Sequence, residues 1–224
     1  MSGNKKRLRV VLQNQDAVKM ENIKKEHWEK VFSTKEENEV SWYQTKPETS
    51  IQLIQACKLP KDAKIIDVGG GDSYLIDNLI ELGYTNLYLL DISENAISRI
   101  QKRLGVEANK VTFIVSDVLD FKPIEKFHAW HDRASFHFLT NKEDILKYKS
   151  IVFNALNSNA NFVLGTFSTE GPLKCSGLDI SQYSVEKILD LFEDTFEMEN
   201  CFTEDHKTPF ETTQNFIFSH FKKI

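Results

Sequence analysis

Cysteine is scarce and scattered: Cys57, Cys175 and Cys201 are the only three, an odd number with no close spacing. That excludes a disulfide framework and a zinc knuckle and suits a reducing compartment. No apolar run approaches the roughly 18 to 20 residues that span a bilayer, and the N-terminus lacks the apolar core of a secretory signal. Both absences point to a cytoplasmic protein with no membrane partner. Basic excess is missing too. Lys and Arg number 28 against 33 Asp and Glu, a formal net charge of -5, so no overall positive field draws the chain to nucleic acid or anionic lipid. His131, Asp132 and His137 lie close in sequence but without the ligand spacing of a metal motif, so no metal is expected.

What is present suffices for one core of ordinary size: 224 residues, 41% of them hydrophobic. Residues 1–20 carry Lys5, Lys6, Arg7 and Arg9 without further pattern and are expected to be a disordered basic tail. A basic, acid-poor leader of this kind also suits an organelle address, and Met20 also offers a start ahead of residues 21–224. Residues 21–224 are expected to form a single domain with an N-terminal helical cap around Lys24 to Phe32. A second helix follows near Glu48 to Ala56, opened by Pro47.

After Pro60 strands and helices alternate. KIIDVGG is a short apolar strand ending in glycines. A helix over about Tyr74 to Leu82 is expected, capped by Asp72 or Ser73 and stopped by Gly83. NLYLLDI is the next strand, and Ser93 caps a helix with Ile97, Ile100 and Leu104 on one face and Gly105 as its stop. VTFIVSD and FHAWHD are further strands, followed by a helix over roughly Lys142 to Leu156 and the strand ANFVLGTF. Thr169 to Gln182 is too long for a tight connection and is expected to cross the carboxyl edge of the sheet. A helix capped at Ser184 precedes FEMENCFTE and QNFIFSHF, which no helix separates and which must therefore pair antiparallel or lie apart. The pattern predicts an α/β fold, a doubly wound and mostly parallel sheet that ends in an antiparallel hairpin.

The sharpest chemical signal is Asp67-Val68-Gly69-Gly70-Gly71-Asp72-Ser73 between a strand and a helix. Gly69 and Gly71 permit a tight turn and close approach of backbone to a ligand, and the helix behind them offers N–H groups and a positive dipole end. Asp91 ends the next strand, 24 positions after Asp67, where a doubly wound fold sets a carboxylate for two ribose hydroxyls. Asp117 ends the third strand, so three acids line one crevice. A dinucleotide-binding oxidoreductase using NAD(P) wants a third glycine where this chain has Tyr74, and Asp67 repels a pyrophosphate. An acid there suits a ligand whose tail carries an ammonium group.

IIDVGGGDS, LLDIS and IVSDVLDF resemble the motifs of class I, seven-stranded S-adenosylmethionine-dependent methyltransferases, over about residues 24 to 224. The resemblance implies a Rossmann-like seven-stranded sheet with S-adenosylmethionine as cofactor. It implies that Asp67 with Gly69, Gly70 and Gly71 holds the methionine part, Asp91 with Ile92 the ribose, and Asp117 with Val118 the adenine. HWEKVFSTKEENEVSWYQ resembles the N-terminal helix of bacterial members and of eukaryotic lysine methyltransferases, in which aromatic residues such as Trp28, Trp42 and Tyr43 help cover the cofactor. HDRASF resembles the segment after the fourth strand of those lysine enzymes.

Methyl transfer is an in-line displacement that asks chiefly for alignment. An amine or thiol acceptor must arrive unprotonated, and Asp132, at the mouth of the fourth strand, is the first candidate to orient it or take its proton, with His131 and His206 behind it. Cys175 in the expected lid, and Thr208 and Gln214 near the hairpin turn, are candidate acceptor contacts. The expected function is methyl transfer to a small-molecule acceptor. A protein lysine is the alternative acceptor, and an NAD(P)-dependent oxidoreductase or a non-catalytic nucleotide-binding module the alternative of another class.

Overall fold

A computed structural model describes residues 23–224; the expectation for the basic tail lies outside the described residues. Its centre is a seven-stranded sheet in the order β3-β2-β1-β4-β5-β9-β8. The strands are β1 (Ile65–Val68), β2 (Leu87–Asp91), β3 (Val111–Val115), β4 (Phe127–Arg133), β5 (Leu156–Phe167), β8 (Phe196–Lys207) and β9 (Thr213–Lys223). A separate two-stranded hairpin, β6 (Lys174–Cys175) and β7 (Leu178–Asp179), lies between β5 and β8 in the chain. The first five strands pair parallel, and β9 runs antiparallel to both β5 and β8. The expected C-terminal antiparallel pairing is therefore present, and β9 is the strand that carries it.

The central strands β1 and β2 are buried along their whole length, as parallel strands covered on both faces must be. Period-two alternation divides their side chains between two apolar layers. Ile66, Val68, Trp130 and Phe162 meet Tyr148 and Val152 of α5 (Lys142–Ala155) and Phe192 of α6 (Val185–Phe192). Ile65, Leu89, Ala129 and Val163 meet the other layer. It is built from α2 (Glu48–Ala56), α3 (Leu75–Glu81) and α4 (Glu94–Leu104). A first helix, α1, covers residues 23–34.

Local signals act where expected at most helix ends. Ser93 accepts from Ala96 N–H at 3.2 Å and Ser184 from Lys187 N–H at 3.2 Å. Gly83 takes φ +88° just past α3. The start of α3 differs from expectation, because Tyr74 occupies the cap position without a side-chain cap bond. Asp72 instead pairs with Arg99 of α4 at 3.1 Å, so a tertiary ion pair takes the carboxylate that a local cap would have used. No described helix is long and apolar enough to cross a membrane.

Candidate functional site

Strands β1, β2 and β3 end at the same edge of the sheet, and a cavity of about 400 Å³ opens there. Its floor includes Gly69, Gly71, Asp91, Ile92, Asp117 and Val118. Its roof comes from two distant parts of the chain: His27, Trp28 and Phe32 on α1, and Leu178 and Asp179 on β7. Trp28 stands edge-on to Trp42 and Phe138, at ring-centroid distances of 5.8 and 5.1 Å. The loop expected to cross the carboxyl edge thus carries the hairpin that closes the cavity.

Asp91 is buried at the end of β2. Its Oδ2 accepts from Gly71 N–H (2.9 Å) and its Oδ1 from Ser93 N–H (2.8 Å). Burial raises its carboxyl to about 7, against the lowering effect of those two bonds. Asp117 Oδ1 accepts from Leu119 N–H at 2.8 Å. Gly69 and Gly71 have φ of +63° and +55°, and side chains there would meet Ser135 and the Phe32 ring respectively. The loop is therefore closed to a Cβ on both sides, which keeps its backbone bare toward the cavity.

Asp67 departs from the expected row of three acids. Its side chain lines a smaller adjoining recess of about 40 Å³ with Gly69, Gly70, His131 and Arg133. The Nδ1–H of His131 donates to Asp67 Oδ1 (2.7 Å), and the Ser50 hydroxyl of α2 donates to His131 Nε2 (2.9 Å). Asp67 Oδ2 is buried without a partner among the described residues, an open acceptor beside the glycine loop.

Asp132 is not a cavity residue. It is fully buried on the α5 face, where its Oδ1 accepts from Ser135 and Phe136 N–H (3.2 and 3.1 Å) and its Oδ2 from the Tyr148 hydroxyl (2.7 Å). Burial lifts it to about 6. This corrects the expectation that it faces the acceptor: alternation along β4 puts it on the side of Trp130, under α5. His131 points to the opposite face and serves Asp67. His206 Nε2–H donates to Ser41 O (2.7 Å), Thr208 contacts Thr212, and Cys175 is buried, pushed up to about 11 by burial. None of these three lines the cavity. Gln214 Oε1 is buried and has no partner among the described residues.

Two residues that the sequence reading passed over do line it. His27 sits on the roof, its Nε2 3.4 Å from Ser176 Oγ, and burial lowers its pKa. Arg133, at the end of β4, lines both the cavity and the recess. For His27 the only signal was its place one residue before Trp28; for Arg133 it was a lone cation at a parallel-strand end.

The strand order, the bare glycine loop and the carboxylate at the end of β2 define a protein that receives a nucleoside-bearing cofactor at the carboxyl edge of a doubly wound sheet. The family model described as methyltransferase domain matches residues 59–215, and the chain belongs to that family of S-adenosylmethionine-dependent methyltransferases. It is 29% identical over 122 residues to an eEF1A lysine and N-terminal methyltransferase of Mus musculus, a match covering 54% of this chain but only 17% of that protein. It is 23% identical over 191 residues to EEF1A lysine methyltransferase 2 of Mus musculus, covering 78% and 72% of the two chains. Its fold matches the N-methyltransferase NodS of Bradyrhizobium japonicum, solved with S-adenosyl-L-homocysteine. The TM-score is 0.67 at 12% identity, with 88% of this chain and 98% of that one covered.

Proposed function

We propose that the protein transfers the methyl group of S-adenosylmethionine to a small-molecule acceptor. The observation that carries this reading is the roofed cavity. At about 400 Å³ it is on the scale of small-ligand sites, and α1 and the β6–β7 hairpin cover it from two sides, which suits an acceptor that enters whole. Bound S-adenosylmethionine supplies a methyl already activated on a sulfonium, so the protein's task is alignment and exclusion of water.

The chain's residues divide that task. Asp91 takes the ribose hydroxyls, a role supported by a carboxylate that lines the cavity and accepts only backbone N–H bonds. Ile92 and Trp28 give apolar sides, and Asp117 with Val118 borders the adenine. Asp67 takes the cofactor ammonium, supported by the open acceptor Oδ2 beside Gly69, Gly70 and Gly71. His131, clamped between Ser50 and Asp67, is a positioning residue for that carboxylate. Asp132 is a positioning residue too, because its bonds to Ser135 and Phe136 set the turn on which Ser135 meets the cavity. His27, whose pKa burial lowers, is the histidine on the cavity wall and is assigned the acceptor's proton.

The second reading, transfer to a protein lysine, draws on the names of the Mus musculus relatives. The two part in one experiment. The purified protein is incubated with methyl-labelled S-adenosylmethionine and a cell extract, which is then separated into small molecules and protein. Label in the small-molecule fraction, lost with Asp91→Ala, is expected. Label on protein lysines instead overturns the first reading in favour of the second.

A further inference from the structure

Among the described residues, Arg133 is a cation at the cavity edge that no ion pair balances. It ends β4 and, with Trp42 and Gly69, lines both the cofactor cavity and the recess beside Asp67. A guanidinium carries five N–H donors, yet the bond it makes to a described residue runs from Nη1–H to Trp42 O at 3.1 Å. Its flat face lies over the Phe216 ring at 5.0 Å. No described carboxylate forms an ion pair with it. The two acids whose charge reaches it lie beyond ion-pair distance. Asp67 spends Oδ1 on His131 and keeps Oδ2 open, and Glu204 accepts from the Thr49 hydroxyl at 2.7 Å. Arginine held only for structure is normally spent on a carboxylate or several carbonyls, since burying its charge unpaired is costly.

A second observation points the same way. His137 is fully buried, stacked on Phe167 with centroids 4.3 Å apart, and neither ring nitrogen has a partner among the described residues. Burial and the nearby charge of Arg133 lower it to about 3, so it stays neutral and keeps one unspent N–H. Two side chains with unspent donors thus lie close enough for the charge of one to act on the other: Arg133 at the end of β4, and His137 on the turn that follows, against Phe167 of β5. A planar oxyanion is the chemistry that accepts from a guanidinium fork.

We propose that Arg133 is the carboxylate-binding residue of the transfer site, its anion being either the amino-acid end of the cofactor or a carboxylate of the acceptor. Both sources reach it, because it borders the recess beside Asp67 and the main cavity alike. The inference rests on the methyl-transfer reading above. It names one further group that the ligand must carry.

The test uses the full chain and the variants Arg133→Gln and Arg133→Lys, each checked for an unchanged melting profile. In the first arm, calorimetry measures S-adenosylhomocysteine and 5′-methylthioadenosine, which lacks the amino-acid end. If the cofactor supplies the anion, Arg133→Gln weakens S-adenosylhomocysteine by about 10- to 100-fold and leaves methylthioadenosine unchanged, with Arg133→Lys between. In the second arm, a panel of small carboxylic acids and their amides is scored by thermal shift in saturating S-adenosylhomocysteine. If the acceptor supplies it, acids and not amides raise the melting temperature of the wild type, and Arg133→Gln abolishes the shift. Should Arg133→Gln unfold, Arg133→Lys and the acid-amide contrast on the wild type carry the decision. Equal behaviour of wild type and variants in both arms overturns the proposal while leaving cofactor binding intact. Failure of the wild type to bind S-adenosylhomocysteine overturns the methyl-transfer reading itself.

Discussion

At the residue scale the chemistry turns on two buried carboxylates at adjacent levels of the sheet. Asp91 stands at about 7, above the ordinary value near 3.9, so between about pH 4 and 7 the folded protein holds a proton that the unfolded chain has released. On account of this group stability falls as pH rises through that window. In the role proposed for Asp91, ribose hydroxyls donate to the ionised form, so cofactor affinity moves the other way. Calorimetry of S-adenosylhomocysteine is expected to show affinity rising about 5- to 10-fold from pH 6 to pH 8, a dependence that Asp91→Asn flattens. Asp132 answers to stability instead. Tyr148→Phe removes a hydrogen bond from a buried carboxylate and is expected to cost about 1 to 3 kcal/mol in denaturant unfolding, with S-adenosylhomocysteine affinity unchanged. The place of Asp91 on the cavity floor was legible in the sequence because it follows from a strand end and a spacing. Asp132 was not, because the partner that decides its role, Tyr148, comes from a helix whose packing no local pattern reveals.

At the element scale the site depends on how α1 is held over the glycine loop. Glu29 of α1 docks on the start of α4, accepting from Glu94 N–H (2.7 Å), Asn95 N–H (3.2 Å), the Ser93 hydroxyl (3.0 Å) and Asn95 Nδ2–H (2.6 Å). A lid helix thus satisfies the free N–H groups of another helix. Glu29→Gln keeps the shape and removes the charge. It is expected to speed release of S-adenosylhomocysteine by about 2- to 10-fold in stopped flow, the range of a lost cap interaction. Gly71 is the complementary contact, since a Cβ there would lie 2.9 Å from the Phe32 ring of α1. Gly71→Ala adds strain at φ +55° to that clash and is expected to weaken binding more than Glu29→Gln in the same assay. The glycine run was plain in the sequence. Its contact with α1, about forty residues upstream, was not, because only tertiary packing of α1 over the loop brings Phe32 to it.

At the scale of the whole molecule, the described residues form one sheet with an apolar layer on each face, and the cavity lies at the edge where those layers end. A ligand that binds only there stabilises the folded state by mass action. Saturation with S-adenosylhomocysteine at about 100 times its Kd is expected to add about 2.7 kcal/mol, a rise of about 5 to 10 °C in the melting temperature by calorimetry for a chain of this length. The sequence by itself determined the order of strands and helices, the caps at Ser93 and Ser184, the antiparallel end of the sheet and the acids at the ends of β2 and β3. These follow from period, turn chemistry and topology, which act over a few residues or are limited to few alternatives. The tertiary structure alone decided which face each strand-end side chain enters. It sent Asp132 under α5, set His131 on Asp67, brought His27 and the β6–β7 hairpin over the cavity, and left Arg133 without an ion pair among the described residues. Those outcomes depend on which distant helix packs on which face of the sheet, and nothing within reach of a strand's own neighbours encodes that.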